Sequence, residues 1–152
     1  LFMEVELLYL FGCGLSYTRF DYSNLKVSRF GVNVSVEGET SGNQSAASDP
    51  CSVSVDVKNV GDRDGDEVVQ LYVSDLEASV PVPRHHLEGF RRIHLKAGES
   101  KTVRFELTPK QLACYDDDGR PFVEPGEFRV SVGGGQPDDP TAGAVGTVIR
   151  IE

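Results

Sequence analysis

SVSVDVKNVGDRDGDEVVQLYVSD, residues 52–75, decides the fold. In its first half Val53, Val55 and Val57 alternate with Ser52, Ser54, Asp56 and Lys58. Successive side chains of a strand point to opposite faces, so this is a strand with one apolar and one polar face. Burying each valine contributes roughly 1.5–3 kcal/mol. In the second half Val69, Leu71 and Val73 share one face, and Val68, Gln70, Tyr72 and Ser74 the other. The connector NVGDRDGD is dense in turn formers. The two halves read as two antiparallel strands.

The same period recurs on either side. KTVRFELTP (101–109) alternates Val103, Phe105 and Leu107 with polar residues, and EFRVSVGG (127–134) does so with Phe128, Val130 and Val132; each is expected to keep one wet face. RFGVNVSVEG (29–38) offers Val32, Val34 and Val36, HLEGFRRIHL (86–95) offers Leu87, Phe90, Ile93 and Leu95, and TVIRIE (147–152) a last short strand. LTPKQLACYD (107–116) departs from this: Thr108 can cap, Pro109 suits a first helical position and Leu112 returns one turn later, so one short helical turn is expected. The Ser-, Gly- and Asn-rich stretch 37–50 reads as a loop, as does 135–144. About seven or eight short one-sided strands with no βαβ pattern give an all-β, antiparallel sandwich, because each strand must bury its apolar face against a second layer.

With 152 residues the chain has the length of one domain. Its formal net charge of -9 repels nucleic acid and anionic membrane surfaces, so neither is expected as a partner. The opening LFMEVELLYLFG is apolar but interrupted by Glu4 and Glu6 and preceded by no basic region; it reads as a buried strand rather than a secretory signal. No apolar run reaches the roughly 18 residues of a membrane span, and the compartment stays open. Cys13, Cys51 and Cys114 form no C-x-x-C pair, which argues against a zinc motif and a disulfide framework while leaving one bridge open.

Acidic residues crowd at Asp62, Asp64, Asp66 and Glu67 and again at Asp116, Asp117 and Asp118. A calcium loop counted from Asp62 would need glycine at its sixth position and glutamate at its twelfth, where Glu67 and Val73 stand. Solvated turns fit better. Glycoside hydrolysis needs two carboxylates at a fixed separation, one with a raised pKa, and no such pair is identifiable. Ser16, in GLSYT, lacks the G-x-S-x-G context, and no phosphate-binding glycine loop or H-E-x-x-H motif occurs. No catalytic, cofactor or metal residue is assigned. His85 and His86 follow VPVPR in an extended, Pro-rich segment, and as strand neighbours they point to opposite sides. Arg84 with one of these histidines is either a contact site or part of a plain solvated loop.

Four blocks, FGCGLSYTRFDYSNLKVS (11–28), VSVDVKNVGDRDGDEVVQLYVSD (53–75), LEGFRRIHLKAGESKTVRFELTP (87–109) and YDDDGRPFVEPGEFRVSVG (115–133), resemble in order the C-terminal region of glycoside hydrolase family 3 β-glucosidases and β-xylosidases. The resemblance implies an immunoglobulin-like, fibronectin type III-like sandwich over 19–152, with 1–18 the tail end of a preceding α/β sandwich domain and its linker. It also implies catalytic residues that belong to a barrel and to that α/β domain, and that map onto no position here. Departures sit at Leu10, Cys13 and the segment holding Val82, Arg84, His85 and His86. The absence of an initiating methionine is read as a fragment or an unusually short reading frame.

The resemblance implies a non-catalytic accessory domain, without cofactor, that packs against and stabilises the catalytic domains of its parent glycosidase. Phe11, Leu15, Tyr17, Phe20, Arg84, His85 and His86 are the expected interdomain or partner contacts. An exposed N-terminal patch of Phe2, Leu7, Leu8, Tyr9 and Phe11 would make the isolated chain self-associate. The competing reading is a self-sufficient module binding carbohydrate or protein, yet the chain has no Trp to serve as a stacking platform.

Overall fold

The computed structural model describes residues 16–28, 50–79 and 84–151. Strands β1 (Phe20–Val27), β2 (Cys51–Asn59) and β5 (Ser100–Leu107) form a three-stranded sheet in the order β1-β2-β5. Strands β3 (Gly65–Asp75), β4 (His86–Leu95), β8 (Gly126–Gly133) and β9 (Val145–Ile151) form a four-stranded sheet in the order β4-β3-β8-β9. Every pairing is antiparallel. A small hairpin, β6 (Cys114–Tyr115) with β7 (Pro121–Phe122), follows the 3₁₀ turn Pro109–Leu112, the expected helical turn. The Gln111 side-chain oxygen accepts from the Thr108 backbone N–H at 2.8 Å, closing the start of that turn.

Seven strands thus face one another across two layers. Val53, Val55 and Val57 of β2 are fully buried, as are Val69, Val130 and Val132 opposite, with Leu71, Leu107, Phe105 and Phe128 between them. Their alternation is what the sequence shows.

The structure departs from expectation in four places. Residues 52–59 and 67–75 do not pair: β2 belongs to one sheet and β3 to the other, and NVGDRDGD crosses between the layers. The crossing is built on Asn59, which is fully buried. Its Nδ2 donates to the Arg63 carbonyl at 2.7 Å and the Leu95 carbonyl at 3.1 Å, while its Oδ1 accepts from Thr18 Oγ1 at 2.7 Å and the Gly61 N–H at 3.1 Å. A Cβ on Gly61 would stand 1.9 Å from Thr18 Oγ1, so only glycine lets the corner close. Second, β1 was not anticipated: Asn24 has φ 53° and the register with β2 shifts between Ser23 and Lys26, which breaks the alternation begun by Phe20 and Tyr22.

Third, Leu87 and Phe90 are exposed rather than in the core, with only Leu95 of β4 buried. Residues spaced by three cannot all face one way on a strand, and a bulge at Glu88 lies between the Leu71–Gly89 and Tyr72–Leu87 pairings. Fourth, the four-stranded sheet is dry on both faces at its centre. Gln70, Tyr72, Ser74 and Ser131 point away from the core and are nonetheless buried, so EFRVSVGG has no continuous wet face. Residues 29–38, most of 37–50, and the opening segment with Phe11, Cys13 and Leu15 lie outside the described residues.

Candidate docking face and functional side chains

The outer face of the four-stranded sheet carries the polar groups that the fold buries without using them in its core. Cross-strand partners share a face, so Val68, Gln70, Tyr72 and Ser74 of β3 lie with Arg92, Phe90 and Leu87 of β4, and with Gly133, Ser131 and Arg129 of β8. Tyr72 Oη donates to Gln70 Oε1 at 2.7 Å, and Gln70 Nε2 donates to the Gly134 carbonyl at 3.3 Å. The loop that leaves β8 is thereby drawn over the sheet, and the Asp139 carboxylate shapes it by accepting from the Thr141 N–H and hydroxyl at 2.8 and 2.6 Å.

Arg84 and His85 meet this loop. His85 Nε2 is 2.9 Å from Asp138 Oδ2, Arg84 donates to the same oxygen at 3.1 Å, and His85 Nδ1 is 2.7 Å from Ser74 Oγ. A carboxylate only accepts, so Nε2 carries a proton; in the neutral ring Nδ1 then accepts from the Ser74 hydroxyl. The hydrogen bond from His85 holds the Asp138 carboxyl below its usual range. Serine, histidine and aspartate in a row invite comparison with an acyl-transfer triad. Ser74, however, is 5% exposed and contacts the opposite ring nitrogen from the one a triad serine uses. The arrangement does mechanical work: it fastens the segment before β4 to the loop after β8. His86 begins β4, exposed and opposite Val73, on the other side of the chain from His85.

Of the remaining expected contacts, Tyr17 is 90% exposed, whereas Phe20 is a core residue closed in by the sandwich. Its alternation with Tyr22 on β1 turns it inward, so it is not available to a partner. Phe11 and Leu15 lie outside the described residues. Exposed apolar side chains make up the rest of the outer face: Phe90 at 68% and Leu87, both expected in the core, with Val68 and, on β9, Val148.

Asp64 and Asp116 act as turn chemistry, whereas Asp66 and Glu67 are strand residues of β3 rather than part of the expected solvated turn. Asp64 accepts the Ala97 N–H at 2.9 Å, Asp66 binds Arg92 and His94, and Asp116 accepts the Asp118 and Arg120 N–H groups at 3.0 and 2.8 Å. The bond from His94, then that from Arg92, lowers the Asp66 pKa. On β3, Glu67 reaches across to β1 and accepts from Tyr22 Oη at 2.6 Å; burial raises the pKa of both. A different trio converges at the far end of β3, where oxygens of Asp75 and Glu124 and the sulfur of Cys114 lie within 4.8 Å of one another. Burial raises the Cys114 pKa, and the two carboxylates raise it further. Cys51, also a free thiol, is buried in the core and donates to the Ser28 carbonyl at 2.6 Å.

Residues 67–136 match the family model for the fibronectin type III-like domain. The chain is 40% identical to thermostable β-glucosidase B of Acetivibrio thermocellus over 130 residues, which are 85% of this chain and 16% of that enzyme. It is 44% identical to a β-xylosidase of Formosa agariphila over 132 residues, 87% of this chain and 16% of the relative. Among solved structures, a β-glucosidase of Erythrobacter marinus superposes with TM-score 0.77 at 36% identity, covering 98% of this chain and 17% of the other. The GH3 β-glucosidase of Bifidobacterium adolescentis does so with TM-score 0.75 at 32% identity, covering 94% and 18%. The match is thus to one region of much longer enzymes, and both fold and sequence carry it. The chain belongs to the fibronectin type III-like domains found in the C-terminal region of family 3 glycoside hydrolases.

Proposed function

We propose that this chain is the non-catalytic accessory domain of a family 3 glycosidase, and that it stabilises the catalytic part of that enzyme by packing against it. The parent on this reading hydrolyses β-linked glucosides or xylosides, as the names of the relatives suggest. The observation that carries the proposal is an apolar sheet face uncovered among the described residues, centred on Phe90 at 68% exposure, in a chain that spans only 16% of its relatives. Scattered exposed apolar residues are ordinary, but Val68, Leu87 and Phe90 are neighbours on one sheet face. The same surface, left bare, is a reason for the isolated chain to self-associate.

The test replaces Phe90 and Leu87 by Asp in the enzyme that carries this domain. Both lie outside the core, so the stability of the chain alone should change by no more than about 0.5 kcal/mol. The melting temperature of the hydrolase activity should fall. An unchanged melting temperature refutes this docking face. Saturable binding of soluble glucans or xylans by the isolated chain, abolished by the same substitutions, would favour a carbohydrate-binding module instead.

A further inference from the structure

At the end of β3 the chain assembles a set of donors that the accessory role does not use. Asp75 is the last residue of that strand, Cys114 opens β6, and Glu124 follows β7, so the β6–β7 hairpin folds a thiol and a carboxylate onto the carboxylate of the sheet. Cys114 is 6% exposed, and its sulfur is aimed at Asp75 Oδ2, 3.8 Å away. That long contact is the thiol's only hydrogen bond among the described residues, and its partner is an anion. No Lys, Arg or His forms an ion pair with Asp75 or Glu124 among the described residues. Two carboxylates and a buried thiol, each of which becomes negative on losing its proton, therefore face one another without a paired cation among the described residues.

From this geometry we infer that Asp75, Cys114 and Glu124 form a binding site for a thiophilic divalent cation of the zinc type. A tetrahedral zinc ion, with bonds of about 2.3 Å to sulfur and 2.0–2.2 Å to oxygen, needs its donor atoms about 3.3–3.8 Å apart. The Cys114 sulfur and the Asp75 oxygen stand 3.8 Å apart, at the upper edge of that spacing, and the full trio, within 4.8 Å, reaches it by a contraction of about 1 Å or less. Both carboxylates are held in place by hydrogen bonds that leave lone pairs free. Asp75 Oδ1 accepts the Glu77 N–H at 2.9 Å, and Glu124 accepts the Ser79 N–H at 3.0 Å and the Ser79 hydroxyl. Cys114 binds as the thiolate, its proton leaving to solvent, and a water completes the fourth position. A soft sulfur donor and only two carboxylates select against calcium and magnesium, which take six or more oxygens.

The experiment titrates the chelator-treated chain with ZnCl₂ by calorimetry and, separately, with CoCl₂, whose thiolate ligation produces a charge-transfer absorption in the near ultraviolet. One equivalent should bind, with that absorption present, and excess Ca²⁺ or Mg²⁺ should not displace it. Cys114→Ser should abolish the absorption, while Cys13→Ser leaves it intact. Asp75→Asn keeps the acceptor for the Glu77 N–H, and Glu124→Gln keeps the acceptor for the Ser79 N–H and turns its amide nitrogen toward the Ser79 hydroxyl oxygen. Each should nonetheless weaken Zn²⁺ by more than the roughly 10–100-fold that loss of an outer-shell partner costs. These two variants decide the matter if Cys114→Ser does not fold. Absence of the absorption, its persistence in Cys114→Ser, its loss in Cys13→Ser, displacement by Ca²⁺, or unchanged Zn²⁺ affinity in both carboxylate variants overturns the site.

Discussion

Asn59→Ala removes the amide that carries the chain from one sheet to the other. Four hydrogen bonds go with it: two donated to the Arg63 and Leu95 carbonyls and two accepted from Thr18 and Gly61. Each is worth about 1 kcal/mol net; the Leu95 carbonyl is left buried without a partner, while the groups on Thr18, Gly61 and Arg63 are only partly buried, so the loss should reach about 3–4 kcal/mol. In urea, with a slope of about 1.5–2 kcal/mol per molar for a domain of this size, the unfolding midpoint falls by about 2 M at unchanged slope. Thr18→Val breaks one of the four bonds and should cost about 1 kcal/mol. In the double variant that cost should vanish, because the partner is already gone. Asn59→Asp should be as damaging as alanine at neutral pH, since it turns a donor toward two carbonyls into a buried charge, and milder in acid. A loss below about 1 kcal/mol for Asn59→Ala, or additive losses in the double variant, would refute the view that this side chain holds the corner.

Glu67→Gln keeps an acceptor for Tyr22 and removes a charge that burial disfavours. The raised folded-state pKa of Glu67 means that its stabilisation is complete below the unfolded carboxyl value near 4.3 and is lost as pH rises through the folded value. The glutamine variant should therefore be more stable than wild type at pH 7, by up to about 1 kcal/mol, with the gap closing toward pH 4 in thermal melts; a less stable variant at pH 7 contradicts this. Phe128→Ala empties a fully enclosed core site and should cost about 3–5 kcal/mol in denaturant unfolding. Asp138→Asn weakens the fastening of Arg84 and His85 to the loop after β8, so hydrogen exchange should quicken in residues 84–86 and 134–142 while the β2 and β5 amides stay protected. Uniform quickening would show that the contact supports the whole sandwich instead.

What could be read without coordinates was local. Val53, Val55 and Val57, or Val103, Phe105 and Leu107, repeat at the period of the strand itself, so their burial is written in any short window of sequence. The 3₁₀ turn at Pro109–Leu112 was legible for the same reason, because its cap, proline and returning leucine are near neighbours. The side-chain type of Tyr17 and the opposite orientations of His85 and His86 were equally visible.

Alternation says which side of a strand is apolar and not which strand lies beside it. That β2 and β3 part into different sheets depends on Asn59 meeting Leu95, 36 residues away. The dry outer face depends on Gln70 reaching Gly134, 64 residues on, and the pairing of Asp75 with Cys114 spans 39. Cysteine spacing alone argued against a zinc motif, since a trio assembled from three elements has no spacing to read. The sequence by itself determined the class of element and the composition of the core, because these follow from the pleat and from the removal of apolar surface from water. The tertiary structure alone decided sheet partnership, the burial of Phe20, the exposure of Phe90 and the convergence of Asp75, Cys114 and Glu124, because each is fixed by contacts between residues that only the closed sandwich brings together.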